Sequence, residues 1–235
     1  MFPTASKQQA CPPRRARFVR GLKLGMPIFL GYAPVGAAFG IVACDVGFTP
    51  FQAIACSATA LAGAGQFIAL AVIQSGAAAF TVVLATTVVN LRYVLFGAAM
   101  TPYVSRVPLA GQTFLAFTLT DETFAVNIDD HRRGTADALS MAGVGSIAWF
   151  GWVVGTAVGA LAAELIGDPM SWGVQFAMPA MFTALLVAQA EDRRHVLVAV
   201  LAALLAVVLM LVLPGMWYVI AAPILAAAMA AVAER

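Results

Sequence analysis

The sequence predicts an all-α, polytopic transmembrane helical bundle, and three observations predict it. Hydrophobic residues make up 62% of the 235 positions and charged residues only 10%, where a soluble domain carries about one quarter charged. The charges that exist are segregated: between Met26 and Met100 only Asp45 and Arg92 are ionisable as acid or strong base. The remaining apolar sequence falls into runs of the length that crosses a bilayer, roughly 20 residues. No water-soluble core can bury that much apolar side chain under so little polar surface, so lipid is the solvent that fits.

Taken in order, the chain opens with a basic stretch. Lys7, Arg14, Arg15, Arg17, Arg20 and Lys23 all precede the first apolar run, and residues 1–25 are predicted to form a basic tail held on the cytoplasmic side by the preference for Lys and Arg there. A cleaved signal peptide and an organellar transit peptide share the basic, acid-free character. The long basic region, the full span length of the run after it and the further runs that follow favour an uncleaved membrane protein.

Eight candidate spans follow within a transporter domain over residues 26–235. The first half, 26–128, holds Met26 to Cys44, Phe51 to Ile73, Ala79 to Met100 and Leu109 to Ile128. The second half, 139–232, holds Leu139 to Leu161, Trp172 to Ala190, Val196 to Leu213 and Trp217 to Val232. The fourth is polar for a lipid-facing helix, with Gln112, Thr118, Thr120, Asp121, Glu122 and Thr123. If it crosses, Arg132/Arg133 and Arg193/Arg194 share the side of the basic N-terminus, and Asp45, Glu164 and Asp168 lie opposite. Arg106 is the one exception. Eight spans with both termini cytoplasmic is therefore the expectation, with seven as the alternative.

An internal repeat is visible in spacing. Gly36, Gly40, Asp45 and Pro50 recur at the same intervals as Gly155, Gly159, Glu164 and Pro169, a pattern expected where transporters are built from two related halves. Four spans per half would make the halves parallel, and a fourth segment that fails to cross would make them inverted. Both Gly-xxx-Gly pairs are read as packing faces, because small residues four apart let another backbone come close. Pro27, Pro34, Pro179 and Pro223 are read as helix kinks.

Chemistry is concentrated in three stretches: Ala62-Gly63-Ala64-Gly65-Gln66-Phe67, Val89-Asn90-Leu91-Arg92-Tyr93 and Thr120-Asp121-Glu122-Thr123-Phe124. Arg92 lies mid-span, where a charge costs about 2.5–3.5 kcal/mol on the lenient insertion scale, so it needs a partner. Asp121 and Glu122, one short loop away, are the carboxylates at hand. Such a pair either holds the third and fourth segments together permanently or opens for substrate or proton. On a helix Thr86, Asn90, Tyr93 and Gly97 share a stripe and Arg92 points elsewhere, unless the helix is distorted there. On the fourth segment Thr118 and Glu122 share a face, while Asp121 sits with Phe117 and Phe124. An acid ringed by aromatics is a natural proton carrier, and spacing leaves open which of Asp121 and Glu122 it is.

Gly63 and Gly65 weaken the second span, each by up to about 1 kcal/mol against alanine. A break there would free backbone donors to hold a carboxylate, with Gln66 beside them. Close packing through small residues is the competing reading. His131 and His195 sit beside arginine pairs and are read as solvated. Cys11, Cys44 and Cys56 have no paired spacing, so neither disulfide nor metal site is expected. The sequence has no nucleophile elbow and no phosphate-cradling loop; no enzyme activity, cofactor or nucleic-acid partner is expected.

These stretches, with Gly36 and Gly40, resemble the large subunit of the branched-chain amino acid exporters, the AzlC family, over nearly the whole chain after the basic tail. What the resemblance implies is an exporter of valine, leucine or isoleucine, sometimes methionine, in the cytoplasmic membrane. It further implies a separate small membrane subunit of the AzlD type and coupling to the proton gradient through Asp121 or Glu122. A zwitterionic cargo needs a cation, an anion and an apolar pocket. Arg92 or the broken-helix donors are candidates for its carboxylate, Asp121 or Glu122 for its ammonium, and Phe67, Tyr93 and Phe124 for its side chain, with Gly63, Gly65, Gln66 and Asn90 alongside. The rival readings are a passive channel, a structural membrane subunit and, least supported, an intramembrane enzyme.

Overall fold

A computed structural model describes residues 12–166 and 192–212, with isolated positions outside those ranges. Among the described residues every regular element is a helix, and four stretches are long and apolar enough to cross a membrane: Met26–Asp45, Ala79–Val104, Ala138–Leu165 and Arg193–Val212. Two compact units divide the chain, Met1–Gln175 and Phe176–Arg235. The expected sixth and eighth spans, with Pro169 and Pro223, lie largely or wholly outside the described residues.

The first unit begins with α1 (Arg14–Leu24) and α2 (Met26–Asp45). Gly25 between them keeps helical angles, with φ −83° and ψ −5°, so the two run on nearly as one rod. Residues 14–24 are thus a docked helix where the sequence predicted a tail. The reason is ionic. The Arg20 guanidinium grips the Asp130 carboxylate and donates to the Thr135 carbonyl at 3.1 Å, and Arg17 pairs with Asp137. Asp137 in turn accepts from the Ser140 N–H at 2.7 Å and caps the long helix that follows.

That docking carries a pH signature. The Arg20 guanidinium holds Asp130, which lies beyond the apolar stretch, below the usual carboxylate range. A carboxyl depressed in the folded state stabilises above its ordinary value of about 3.9 and stops doing so as pH falls through the lowered one. Cross-linking of α1 to the 130–137 segment should therefore hold steady from neutral pH to about 4 and weaken below it. Asp130→Asn should give weaker cross-linking with no such acid step.

Three predicted spans are interrupted. The second is split into α3 (Pro50–Thr59) and α4 (Gly63–Gln74), joined by non-helical backbone at Ala60 (φ −135°, ψ 90°) and Ala62 (φ −141°, ψ 63°). The interruption seats the Trp152 indole: a Cβ on Gly63 would meet that ring at 2.9 Å. The third is α5 (Ala79–Asn90) and α6 (Arg92–Val104), with Leu91 between them still helical in angle. There the hydrogen bonds tighten to the i→i+3 pattern, Leu91 N–H to Val88 at 3.3 Å and Val94 N–H to Leu91 at 3.0 Å, a short 3₁₀ kink.

The fourth splits into α7 (Leu109–Phe117) and α8 (Asp121–Arg132). Thr120 is the N-cap of α8: its hydroxyl accepts from the Thr123 N–H, and the Thr123 hydroxyl accepts from the Thr120 N–H. Asp121 and Glu122 occupy the first turn, where the helix dipole favours negative charge. The polar Thr-Asp-Glu-Thr run is thus a helix start, and the shared face predicted for Thr118 and Glu122 on one continuous helix is not formed.

Helix α9 (Ala138–Ile166) is the spine of the unit. It lies along α1 and α2, with Gly21 against Ser140, Gly25 against Val144, Gly36 against Trp152 and Gly40 against Ala160. Contacting numbers rise together, so α2 and α9 are parallel. The contacts are also exchanged: Gly36 meets the backbone of Trp152 while Gly155 meets Ala33, and Gly40 meets Thr156 while Gly159 meets Ala37. Each glycine faces the residue three before its own counterpart, the reciprocity of an interface with a local two-fold axis. Both Gly-xxx-Gly pairs are packing faces, and they pack on each other.

In the second unit α10 (Arg193–Val212) is a single apolar helix whose first turn is capped by Asp192, which accepts from the His195 N–H at 2.9 Å.

Candidate functional site

The candidate site is built where the kink in the third segment meets the start of α8. Leu91 turns the chain so that Arg92 opens α6, and its guanidinium reaches the Asp121 carboxylate at 2.9 Å. The pair is well shielded, with side-chain exposures of 26% and 11%. Arg92 also lies over the Tyr93 ring, 5.2 Å from its centroid. Beyond it runs an aromatic ladder, Tyr93 to Phe96 at 6.2 Å and Phe96 stacked on Phe124 at 4.5 Å. Asn90 turns its amide onto Gly65, where a Cβ would lie 2.9 Å from Nδ2. The kink thus sets Asn90 against Gly65 and, two residues on, Arg92 against Asp121 and Tyr93.

Two buried polar atoms here have no partner among the described residues, Asn90 Oδ1 and Arg92 Nε. Leaving such a group unsatisfied costs about 1–3 kcal/mol, so an open donor on the ion pair and an open acceptor at the same kink favour a polar ligand here.

Glu122 is held differently from its neighbour. Its carboxylate takes the Tyr32 hydroxyl from α2, and that hydroxyl lies 2.8 Å from Thr120 Oγ1. Tyr32 packs edge-on against Trp152 at 5.4 Å. Sequence reasoning did not find Tyr32 or Trp152. The available signal was the cost of burying a phenol or indole without a partner for its polar tip.

Gln66 and Gly63 belong to a separate knot. Gln66 Oε1 accepts from Trp152 Nε1 at 2.9 Å, while Gln66 Nε2 donates to Ser57 Oγ at 3.3 Å and Cys56 Sγ at 3.4 Å. Ser57 also bonds Thr156 at 2.8 Å. The amide ties α3, α4 and α9 together, with its acceptor and donor both engaged by protein. Phe67 sits edge-on to Phe39 in the same core. His131, predicted to be solvated, stacks on Tyr103 at 4.2 Å with Nε2 3.2 Å from Met141 Sδ; it lies on the last turn of α8, which packs inward instead of forming a loop. His195 is 58% exposed. Among the described residues no group of His, Cys, Asp or Glu is arranged to hold a metal ion.

The AzlC protein family matches residues 27–166, from the start of α2 to the end of α9. The chain belongs to the AzlC family. Among AzlC relatives, the inner membrane protein YgaZ of Escherichia coli is 31% identical over 194 residues, covering 79% of this chain and 78% of that protein. An uncharacterized membrane protein of Archaeoglobus fulgidus is 30% identical over 80% of this chain and 82% of its own length. The branched-chain amino acid transport protein AzlC of Bacillus subtilis is 25% identical over 77% of this chain and 71% of its own. No solved structure matches. The family region contains the Arg92–Asp121 pair, Asn90, Glu122 and Tyr32, and the chain is a helical membrane protein of this family.

Proposed function

We propose that the protein is a secondary transporter that exports branched-chain amino acids (valine, leucine and isoleucine, with methionine a further cargo) across the cytoplasmic membrane. In this reading export is driven by the proton gradient and requires a small AzlD-type membrane subunit, and the chain performs no enzyme chemistry. The name of the Bacillus subtilis relative supports the cargo class. The observation that carries the reading is the shielded Arg92–Asp121 pair, with Arg92 Nε and, across Leu91, Asn90 Oδ1 both without a partner among the described residues. An amino acid brings one carboxylate and one ammonium. It can exchange for the ion pair group by group, the carboxylate on Arg92, the ammonium on Asp121 with Asn90 Oδ1 as a further acceptor, and the aliphatic side chain against Tyr93, Phe96 and Phe124.

Topology supports the same proposal. Because α2 and α9 are parallel, the chain between them crosses an odd number of times, which fits three crossings by the second, third and fourth segments. That count and the placement of the arginine pairs support a reading of eight spans, two parallel halves over 26–128 and 139–232, and a cytoplasmic N-terminus.

The test is the intracellular pool of amino acids in cells with and without the chain, each with and without the small subunit. Chain and subunit together should lower leucine, isoleucine and valine severalfold and leave acidic amino acids alone, and an uncoupler should abolish the difference. A pool that equilibrates regardless of the uncoupler would make the protein a passive channel. Unchanged pools with both subunits present would reject the proposal.

A further inference from the structure

Asp121 and Glu122 are adjacent in sequence but differ in what they face. Asp121 meets a cation, Arg92, at 2.9 Å. Neutralising it would leave a guanidinium without its counter-charge at a shielded site, which is strongly unfavourable. Among the described residues Glu122 has no cation within ion-pair reach; its contact is the Tyr32 hydroxyl. The other ionisable groups around it are Tyr93 and Arg92 from α6 and Asp121 on its own helix, and Trp152 of α9 closes the side beyond Tyr32 with a neutral ring.

The Glu122–Tyr32–Thr120 chain works with either protonation state of the carboxyl. With Glu122 ionised, Tyr32 donates to the carboxylate, and the Thr120 hydroxyl donates to Thr123 Oγ1 at 3.3 Å. With Glu122 protonated, its own O–H donates to Tyr32 and Tyr32 donates to Thr120 Oγ1. Both arrangements keep the same atoms in place, because the Tyr32 hydroxyl lies within donating reach of Glu122 and of Thr120 Oγ1 and can turn its one proton to either while accepting from a protonated Glu122. A proton can therefore arrive or leave without orphaning a buried polar group, which is the property a reversible proton carrier needs.

We infer that Glu122 is the carboxyl that loads and unloads the coupling proton, that Tyr32 is its positioning residue, and that Asp121 stays ionised on Arg92 as the substrate's counter-charge. The inference rests on the proton-coupled transport proposed above and assigns its two carboxylates separate tasks. The proton comes from water on the more acidic side, forms an O–H on Glu122, and leaves from that oxygen to water on the other side, so no net bond or charge is left on the protein.

The experiment is transport of labelled leucine by the full chain, reconstituted in vesicles with its small subunit. Two modes are compared: accumulation driven by an imposed pH difference, and exchange of leucine for leucine at equal pH. One pH unit supports about tenfold accumulation at one proton per solute. Wild type lacking both modes would sink the transport proposal itself, whatever the variants do. With wild type active, Glu122→Gln should lose pH-driven accumulation and keep exchange, while Asp121→Asn should lose both. Tyr32→Phe should keep both modes with a displaced pH midpoint for net transport. The inference falls if Glu122→Gln still accumulates leucine, if it loses exchange as well while remaining folded, or if Asp121→Asn is the variant that keeps exchange and loses coupling. If Glu122→Gln does not fold, Tyr32→Phe decides, and an unmoved midpoint overturns the assignment.

Discussion

Arg92→Gln should abolish leucine efflux while leaving the chain in the membrane in ordinary amount. The side chain sits at the kink between α5 and α6 and balances the Asp121 carboxylate. Glutamine keeps hydrogen-bonding capacity and loses the charge, so the fold retains a polar group there and the substrate carboxylate loses its cation. Breaking one member of a shielded pair costs about 3–5 kcal/mol, and if even the lower figure falls on the step that carries cargo across, transport drops by about a hundredfold or more. Efflux assays paired with quantification of the chain in the membrane fraction check this. Wild-type efflux from the variant would discard Arg92 as a substrate residue.

The double variant Arg92→Gln/Asp121→Asn separates a working pair from a merely structural one. Removing both charges together relieves the desolvation penalty that each single change exposes, and a purely structural pair is often replaceable at little cost. The double variant should therefore be at least as stable as either single variant yet equally inactive. Restored efflux would make the pair a strut between α6 and α8 and nothing more.

How far this was legible in the sequence depends on whether the cause was local. The membrane class followed from composition, and the glycine faces from spacing. Arg92 had to have a carboxylate, and adjacency narrowed the choice to two. What divides Asp121 from Glu122 is a tyrosine on α2, some ninety residues away in sequence, which no spacing rule on α8 reaches. The break in the second span was flagged by Gly63 and Gly65, but its place, at Ala60 to Ala62, is set by the Trp152 ring. The Thr-Asp-Glu-Thr run was read as a polar span because apolar residues flank it on both sides; Thr120 and Thr123 cap each other there, a local signal outweighed by hydropathy. Residues 14–24 were read as a tail because their cations were counted before their partners, Asp130 and Asp137, could be seen.

Gly40→Ala and Gly159→Ala should each destabilise the bundle, and by similar amounts, because the interface exchanges their roles. An added Cβ at Gly40 would stand 2.6 Å from the Ala160 nitrogen, and one at Gly159 would strike the Ala37 carbonyl. Both obstacles are backbone, which no rotamer change can move aside. Overpacking of a tight interior costs typically about 1–3 kcal/mol, and here the relief available is separation of α2 from α9. Gly31→Ala and Gly97→Ala are the controls: nothing lies within 4 Å of a Cβ at either position, so alanine's better helix propensity, up to about 1 kcal/mol, should leave them as stable as wild type or more so. Melting of the purified protein in detergent ranks the four. A Gly40→Ala variant as stable as the controls would mean that α2 and α9 do not meet through this face. Because Trp152 stands on α9 within that contact and holds both Gln66 and the seat of Gly63, separating the helices also withdraws the wedge that keeps α3 and α4 apart. Loss of stability at Gly40 should therefore be accompanied by loss of transport even in the fraction that remains folded.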